Sequence, residues 1–147
     1  MKISIGADHG AFELKESIAT YLKNNYELVD FGCFDTNSVD YPEIGVKVAK
    51  SVANKESDFG IVLCTTGIGI SISANKVKGV RCALCHDTHL AKMTRLHNNS
   101  NVLALGAYSV STDLAKEIVD TFIKTEFEGG RHERRVDLIT DIEEGKL

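Results

Sequence analysis

In the stretch Val62-Leu63-Cys64-Thr65-Thr66-Gly67-Ile68-Gly69-Ile70-Ser71, an apolar run gives way to a thiol, two hydroxyls and two glycines. A cysteine that closes a strand just before a helix start would feel the positive end of the helix dipole, which favours the thiolate, the reactive form of the group. The same residue also reads as a buried structural thiol, because free cysteines are commonly packed inside. Backbone N–H groups presented around Gly67 and Gly69 at a helix start offer a place for an anion or a developing oxyanion. The loop fits a nucleotide motif poorly. A dinucleotide fingerprint would need a third glycine where Ile72 stands, and no lysine-plus-hydroxyl pair marks a P-loop.

Other chemically capable residues are spread along the chain. Cys82-Ala83-Leu84-Cys85-His86 matches a C-x-x-C-H pattern, but on a strand residues three apart face opposite sides, so the sulfurs neither converge on one ligand nor bridge easily. The histidines at 9, 86, 89, 97 and 132 show no zinc spacing with the cysteines. His97 and Asn98 end a helical stretch, where a histidine serves either as a capping cation or as a general acid facing a crevice. Arg131 and Arg135 are four apart, share a helix face, and could clamp one dianionic group; the alternative is a solvated charged face. Three arginines within residues 131–135 of a chain with net charge -4 favour phosphate.

The elements that must position these groups follow from the hydropathy pattern. Strands are expected at 2–6, 26–32, 58–64, 80–85 and 101–106, rich in Ile, Val and Leu. Amphipathic helices are expected between them: at 11–24, at 43–54 behind Pro42, after Gly69, over 87–97 and from about Asp113. In the first, Leu14, Ile18, Tyr21 and Leu22 form one face while Lys15, Glu16 and Lys23 point elsewhere. Strict βα alternation predicts a single three-layer α/β/α, Rossmann-like domain over 1–147 with a mostly parallel sheet of about five strands. A charged helical tail, about 131–147, is expected to pack on another surface. Ligands of such sheets bind at the carboxyl ends of the strands where strand order reverses. That rule selects Asp8 and His9, Cys64 to Gly69, His86 and Asp87, and Gly106 to Tyr108.

Composition bounds the function. Hydrophobic residues at 43% and charged residues at 26% describe a globular chain, with no membrane span or secretory signal in the pattern. Four cysteines without an export signal imply reduced thiols and a cytoplasmic location. The acidic balance argues against a general nucleic-acid binder, which needs a basic face.

Taken together, the stretches GADHGAFELK (6–15), DYPE (40–43), CTTGIGISISANKV (64–77), RCALCHD (81–87), HNNSNVLALGA (97–107) and EFEGGRHERRV (126–136) resemble the type B ribose-5-phosphate isomerases. Allose-6-phosphate isomerases and galactose-6-phosphate isomerase subunits belong to the same group. The resemblance covers nearly the whole chain. It implies interconversion of an aldose and a ketose phosphate, ribose 5-phosphate and ribulose 5-phosphate, through an enediolate and without metal or cofactor. It also implies a homodimer, or a pair of dimers, with the tail on the partner subunit and the sites built between subunits.

By the same resemblance Cys64 is the catalytic base, Thr66 with the Gly67-Ile68-Gly69 amides holds the oxyanion, Thr65 contacts the substrate, and His97 is the ring-opening acid. Asp8, His9, Tyr41 and Asn98 line the sugar, and Arg131 and Arg135 bind phosphate from the partner. Allose 6-phosphate is the alternative substrate and a non-catalytic sugar-phosphate binding module the alternative class. A galactose-phosphate subunit fits less well, because Cys64, His97 and both arginines occur in one chain. Two positions depart from the family pattern: Thr65 replaces a common glycine, so φ < 0 is expected there, and Tyr108 replaces a common arginine.

Overall fold

The computed structural model describes all 147 residues. Strands β1 (Lys2–Ala7), β2 (Glu27–Asp30), β3 (Phe59–Cys64), β4 (Cys82–Leu84) and β5 (Val102–Gly106) form one sheet in the order β2-β1-β3-β5-β4, with every pair parallel. The helices are α1 (Phe12–Leu22), α2 (Tyr41–Ala53), α3 (Ile68–Ala74), α4 (Thr88–Asn98), α5 (Thr112–Lys124) and α6 (Arg131–Glu143). No helix is long and apolar enough to cross a membrane.

Local chemistry sets the element ends. Pro42 lies in the first turn of α2, where its missing N–H costs nothing. Asp87 accepts the Leu90 N–H at 2.7 Å and Ser111 the Leu114 N–H at 3.2 Å, capping α4 and α5. Within β3, Ile61 and Leu63 pack under α1, α4 and α5, whereas Val62 and Cys64 pack under α2 and α3. Both faces of the sheet are therefore covered, which is why the strands read as continuous apolar runs. Cys82 and Cys85 lie in these two different clusters, as the three-residue spacing requires. Burial pushes both thiols up, Cys85 to about 12, so neither is poised for chemistry.

The outward reading of Lys15 is overturned. Its side chain is completely buried, with Nζ 2.6 Å from Asp30 Oδ2 and 2.9 Å from Glu16 Oε1, and it lies over the rings of Phe12 and Phe34. The end of β2 places Asp30 beside α1, and a charge enters a core only with such a partner. Burial pulls the ammonium pKa down, but the hydrogen bonds and charges of Asp30 and Glu16 outweigh it and leave the group above its ordinary value.

The tail helix α6 packs on α4 of its own chain through buried His132 and Val136, and Glu143 Oε1 accepts the Gly79 N–H at 2.9 Å. At ~100° per residue, Arg131, Arg135, Leu138 and Ile142 fall within about 60° of arc. That stripe is exposed, Ile142 at 60%.

Candidate active site

From β1 the chain turns to β2 on one side and then crosses to β3 on the other, so strand order reverses between β1 and β3. Asp8 and His9 leave the first of these strands and Cys64 the second. Asp8 is buried; its N–H donates to the Leu63 carbonyl and its Oδ1 accepts the Gly10 N–H at 3.0 Å. His9 Nδ1 accepts the Val39 N–H at 3.2 Å, which leaves the proton of the neutral ring on Nε2 as a donor.

Cys64 is 5% exposed at the end of β3, and the Gly67 N–H donates to its Sγ at 3.1 Å. Gly67 has φ +76°, and a Cβ there would sit 2.8 Å from the Leu105 carbonyl carbon. Only glycine can turn this amide onto the sulfur. At Gly69 a Cβ would lie 2.6–2.9 Å from the Tyr41 ring, so the missing side chain is what lets Tyr41, at the start of α2, close on the loop. The Ile68 N–H donates to Thr66 Oγ1 at 3.3 Å. Two of the three expected cradle amides are thus used inside the loop. The Gly69 N–H has no acceptor within the chain, and the Thr66 hydroxyl hydrogen remains available to donate.

Thr65 is not among the residues with positive φ, as expected, and its carbonyl accepts the Tyr108 N–H at 3.0 Å. The helix that follows the loop, α3, is seven residues long, and the N–H that reaches the sulfur is that of Gly67. What acts on the sulfur is one local amide. Asp87, in the turn between β4 and α4, is occupied as a helix cap, and Tyr108 is 86% exposed.

His97 does not face the crevice of its own chain. Helix α4 begins at the carboxyl edge of the sheet, and its 11 residues carry it back by about 16 Å. It ends beside Asn101, whose carbonyl accepts the N–H of Gly60 at the start of β3. His97 and Asn98 therefore stand at the amino-terminal edge, a consequence of the antiparallel return that every βαβ crossover makes. Arg81 Nε donates to the carbonyls of Asn98 and Asn99 and fixes this turn.

The first turn of α6 lies at the same edge. Arg131 and Arg135 are exposed, and neither has a carboxylate within ion-pair distance. Beside them the His132 ring stacks on His97, with centroids 4.1 Å apart and planes 12° apart. Glu128 Oε2 lies 3.9 Å from His97 Nε2 and 3.7 Å from His132 Nε2. Ligand atoms of this trio lie within 4.8 Å of one another, yet two nearly parallel rings cannot both place one ion in their planes at the roughly 2.0–2.1 Å of a metal–imidazole bond. Sequence reasoning passed over Glu128 and His132. Their i,i+4 spacing was the available signal.

The structure therefore gathers Asp8, His9, Tyr41 and Cys64 to Gly69 at one edge and His97, Asn98, Arg131 and Arg135 at the other. Residues 3–139 match the family model described as Ribose/Galactose Isomerase. The chain belongs to this family. Among its relatives, ribose-5-phosphate isomerase B of Escherichia coli (strain K12) is 44% identical over 144 residues, covering 97% of each chain. The structure of Clostridium thermocellum ribose-5-phosphate isomerase B superposes with a TM-score of 0.97 at 53% identity over the whole of both chains. The Mycoplasma genitalium ribose-5-phosphate isomerase B with bound ribulose 5-phosphate superposes with a TM-score of 0.93 at 41% identity, covering 97% of this chain and 96% of that one. The ribose/galactose isomerase match takes in both edge clusters and most of α6.

Proposed function

We propose that this chain is an aldose–ketose isomerase that interconverts ribose 5-phosphate and ribulose 5-phosphate, and that its working unit is a pair of chains. The observation that carries the reaction is the full-length likeness to family members named for it, one of them with bound ribulose 5-phosphate. What favours the pairing is the distance between the clusters. Cys64 and His97 lie at opposite edges of one sheet, so a thiol and a ring-opening acid that act on one sugar belong to different copies. The α6 stripe favours it too, since Leu138 and Ile142 offer an apolar contact in line with Arg131 and Arg135.

In this reading the arginines of one copy hold the phosphate over the crevice of the other, beside His9. His97 gives a proton to O4 of the furanose, the C1–O4 bond breaks, and O1 gives up its proton to water to leave the open aldehyde. Cys64 takes the C2 proton as thiolate and returns it to C1, while the O2 hydroxyl proton passes to O1. Negative charge moves through the O1 and O2 enediolate meanwhile, and the Thr66 hydroxyl and Gly69 N–H face it, each such donor worth about 3–4 kcal/mol. Asp8, Thr65, Ile68 and Tyr41 wall the sugar, and Asn98 contacts it from the second copy. The chemistry needs no redox partner, because the hydrogen leaving C2 arrives at C1.

The test is conversion of ribose 5-phosphate with excess chelator, with allose 6-phosphate in parallel. Wild type is expected to keep its rate in chelator, to prefer the pentose, and to lose about 10²–10⁴-fold in kcat on Cys64→Ala. Full activity in Cys64→Ala, or loss of wild-type activity to the chelator, rejects the mechanism.

A further inference from the structure

His132 is buried, 8% exposed, and its Nε2 has no hydrogen-bond partner. An orphaned buried polar atom costs about 1–3 kcal/mol that a leucine or phenylalanine in the same slot would avoid. Packing therefore does not explain a histidine here. Its one distinctive contact is the face of His97, on which it stacks at 4.1 Å.

The surroundings favour the neutral form of the stacked ring. Burial lowers the His132 pKa first, His97, Arg131 and Arg135 lower it further, and Glu128 alone opposes them. A neutral ring can lie against an imidazolium without the repulsion that two cations would suffer. The stack is anchored on three sides. α4 carries His97, α6 carries His132, and the segment between α5 and α6 is tied down where the Glu128 N–H donates to the Leu96 carbonyl at 3.1 Å. Glu128 Oε2 closes the remaining side near both Nε2 atoms. His97 itself has a side chain 39% exposed, and the stacked His132 ring covers one of its faces.

We propose that His132 is a positioning residue, whose ring face fixes the plane of the His97 ring so that its proton is delivered to the furanose oxygen. The inference rests on the assignment of His97 as ring-opening acid.

The experiment exploits a partial reaction that has no ring to open. Ribulose 5-phosphate carries its phosphate on the fifth oxygen and is acyclic, so exchange of its C1 hydrogen with deuterated water needs Cys64 and not His97. His132→Ala is expected to lower kcat for ribose 5-phosphate about 10²-fold, the cost of an ångström of misplacement, while exchange stays within about two-fold of wild type because no proton transfer at the ring is involved. His132→Phe keeps the ring face and removes the orphaned nitrogen. It is expected to recover kcat to within about five-fold of wild type with no fall in thermal midpoint, since nothing buried loses a partner.

Unchanged kcat in His132→Ala, a parallel fall of exchange and isomerisation, or a His132→Phe as impaired as the alanine variant overturns the proposal. His97→Ala is run alongside. If it isomerises ribose 5-phosphate at the wild-type rate, the assignment of His97 falls and takes the proposal with it, whereas an inactive His97→Ala with an intact His132→Ala removes the positioning role alone.

Discussion

The sulfur of Cys64 is covered except for one polar contact, the Gly67 N–H at 3.1 Å. A thiolate in that place gains a hydrogen bond that a neutral thiol uses weakly, and the loop's two glycines keep the arrangement open for different reasons. Gly67 needs positive φ and has backbone of β5 where a Cβ would go; Gly69 has ordinary φ and only the movable Tyr41 ring in the way. Their alanine variants should therefore part company. Gly67→Ala is expected to cost about 1–3 kcal/mol of stability, because strain at φ > 0 adds to the clash, and to lose activity with it. Gly69→Ala should keep most of its stability and raise KM several-fold, on the order of 1 kcal/mol of lost sugar contact, as Tyr41 swings aside. Denaturant melts beside steady-state kinetics separate the two, and equal losses of stability would show that Tyr41 cannot move.

At the scale of elements, the strands and the helix starts were legible because both faces of a parallel sheet are apolar and because Pro42, Asp87 and Ser111 carry start signals that act locally. Lys15 was not legible. Helical periodicity assigns lysine outward, and its inward turn depends on Asp30 at the end of β2, fifteen residues away and brought near only by the β1–β2 pairing. Replacing Lys15 by methionine leaves the Asp30 carboxylate without its cation in a mostly buried site, an expected loss of about 3 kcal/mol. In a chain of this size that lowers the thermal midpoint by about 6–12 °C. The native ammonium pKa lies above its unfolded value, so the pair stabilises fully below pH ~10.4 and its contribution falls as pH rises through the native value, where the native state holds the extra proton. The gap in unfolding free energy between wild type and Lys15→Met should accordingly narrow in alkaline buffers, and a gap that widens there would mean that the cation does not stabilise the native state.

Across the whole molecule, the residue types of the site were readable from the sequence but their division between two edges was not, since spacing along a chain does not show which end of a sheet a helix returns to. His97 follows Cys64 by 33 positions, and α4 intervenes to carry it to the far edge. If each site takes its thiol from one copy and its acid from another, two dead variants can repair each other. Cys64→Ala and His97→Ala should each be inactive alone. In a two-fold dimer formed from one of each, one site combines both substitutions while the other combines Cys64 of the His97→Ala chain with His97 of the Cys64→Ala chain and is wild type. Random reassortment of an equal mixture makes about half the dimers mixed, each with one working site of two, so activity should recover to about a quarter of wild type. The Ile142→Glu substitution places a charge in the α6 stripe and should abolish both the dimer and the recovery while the monomer still melts cooperatively. A mixture that stays inactive after denaturation and co-refolding, with dimers present by light scattering, would place both catalytic groups within a single chain and break the two-copy reading.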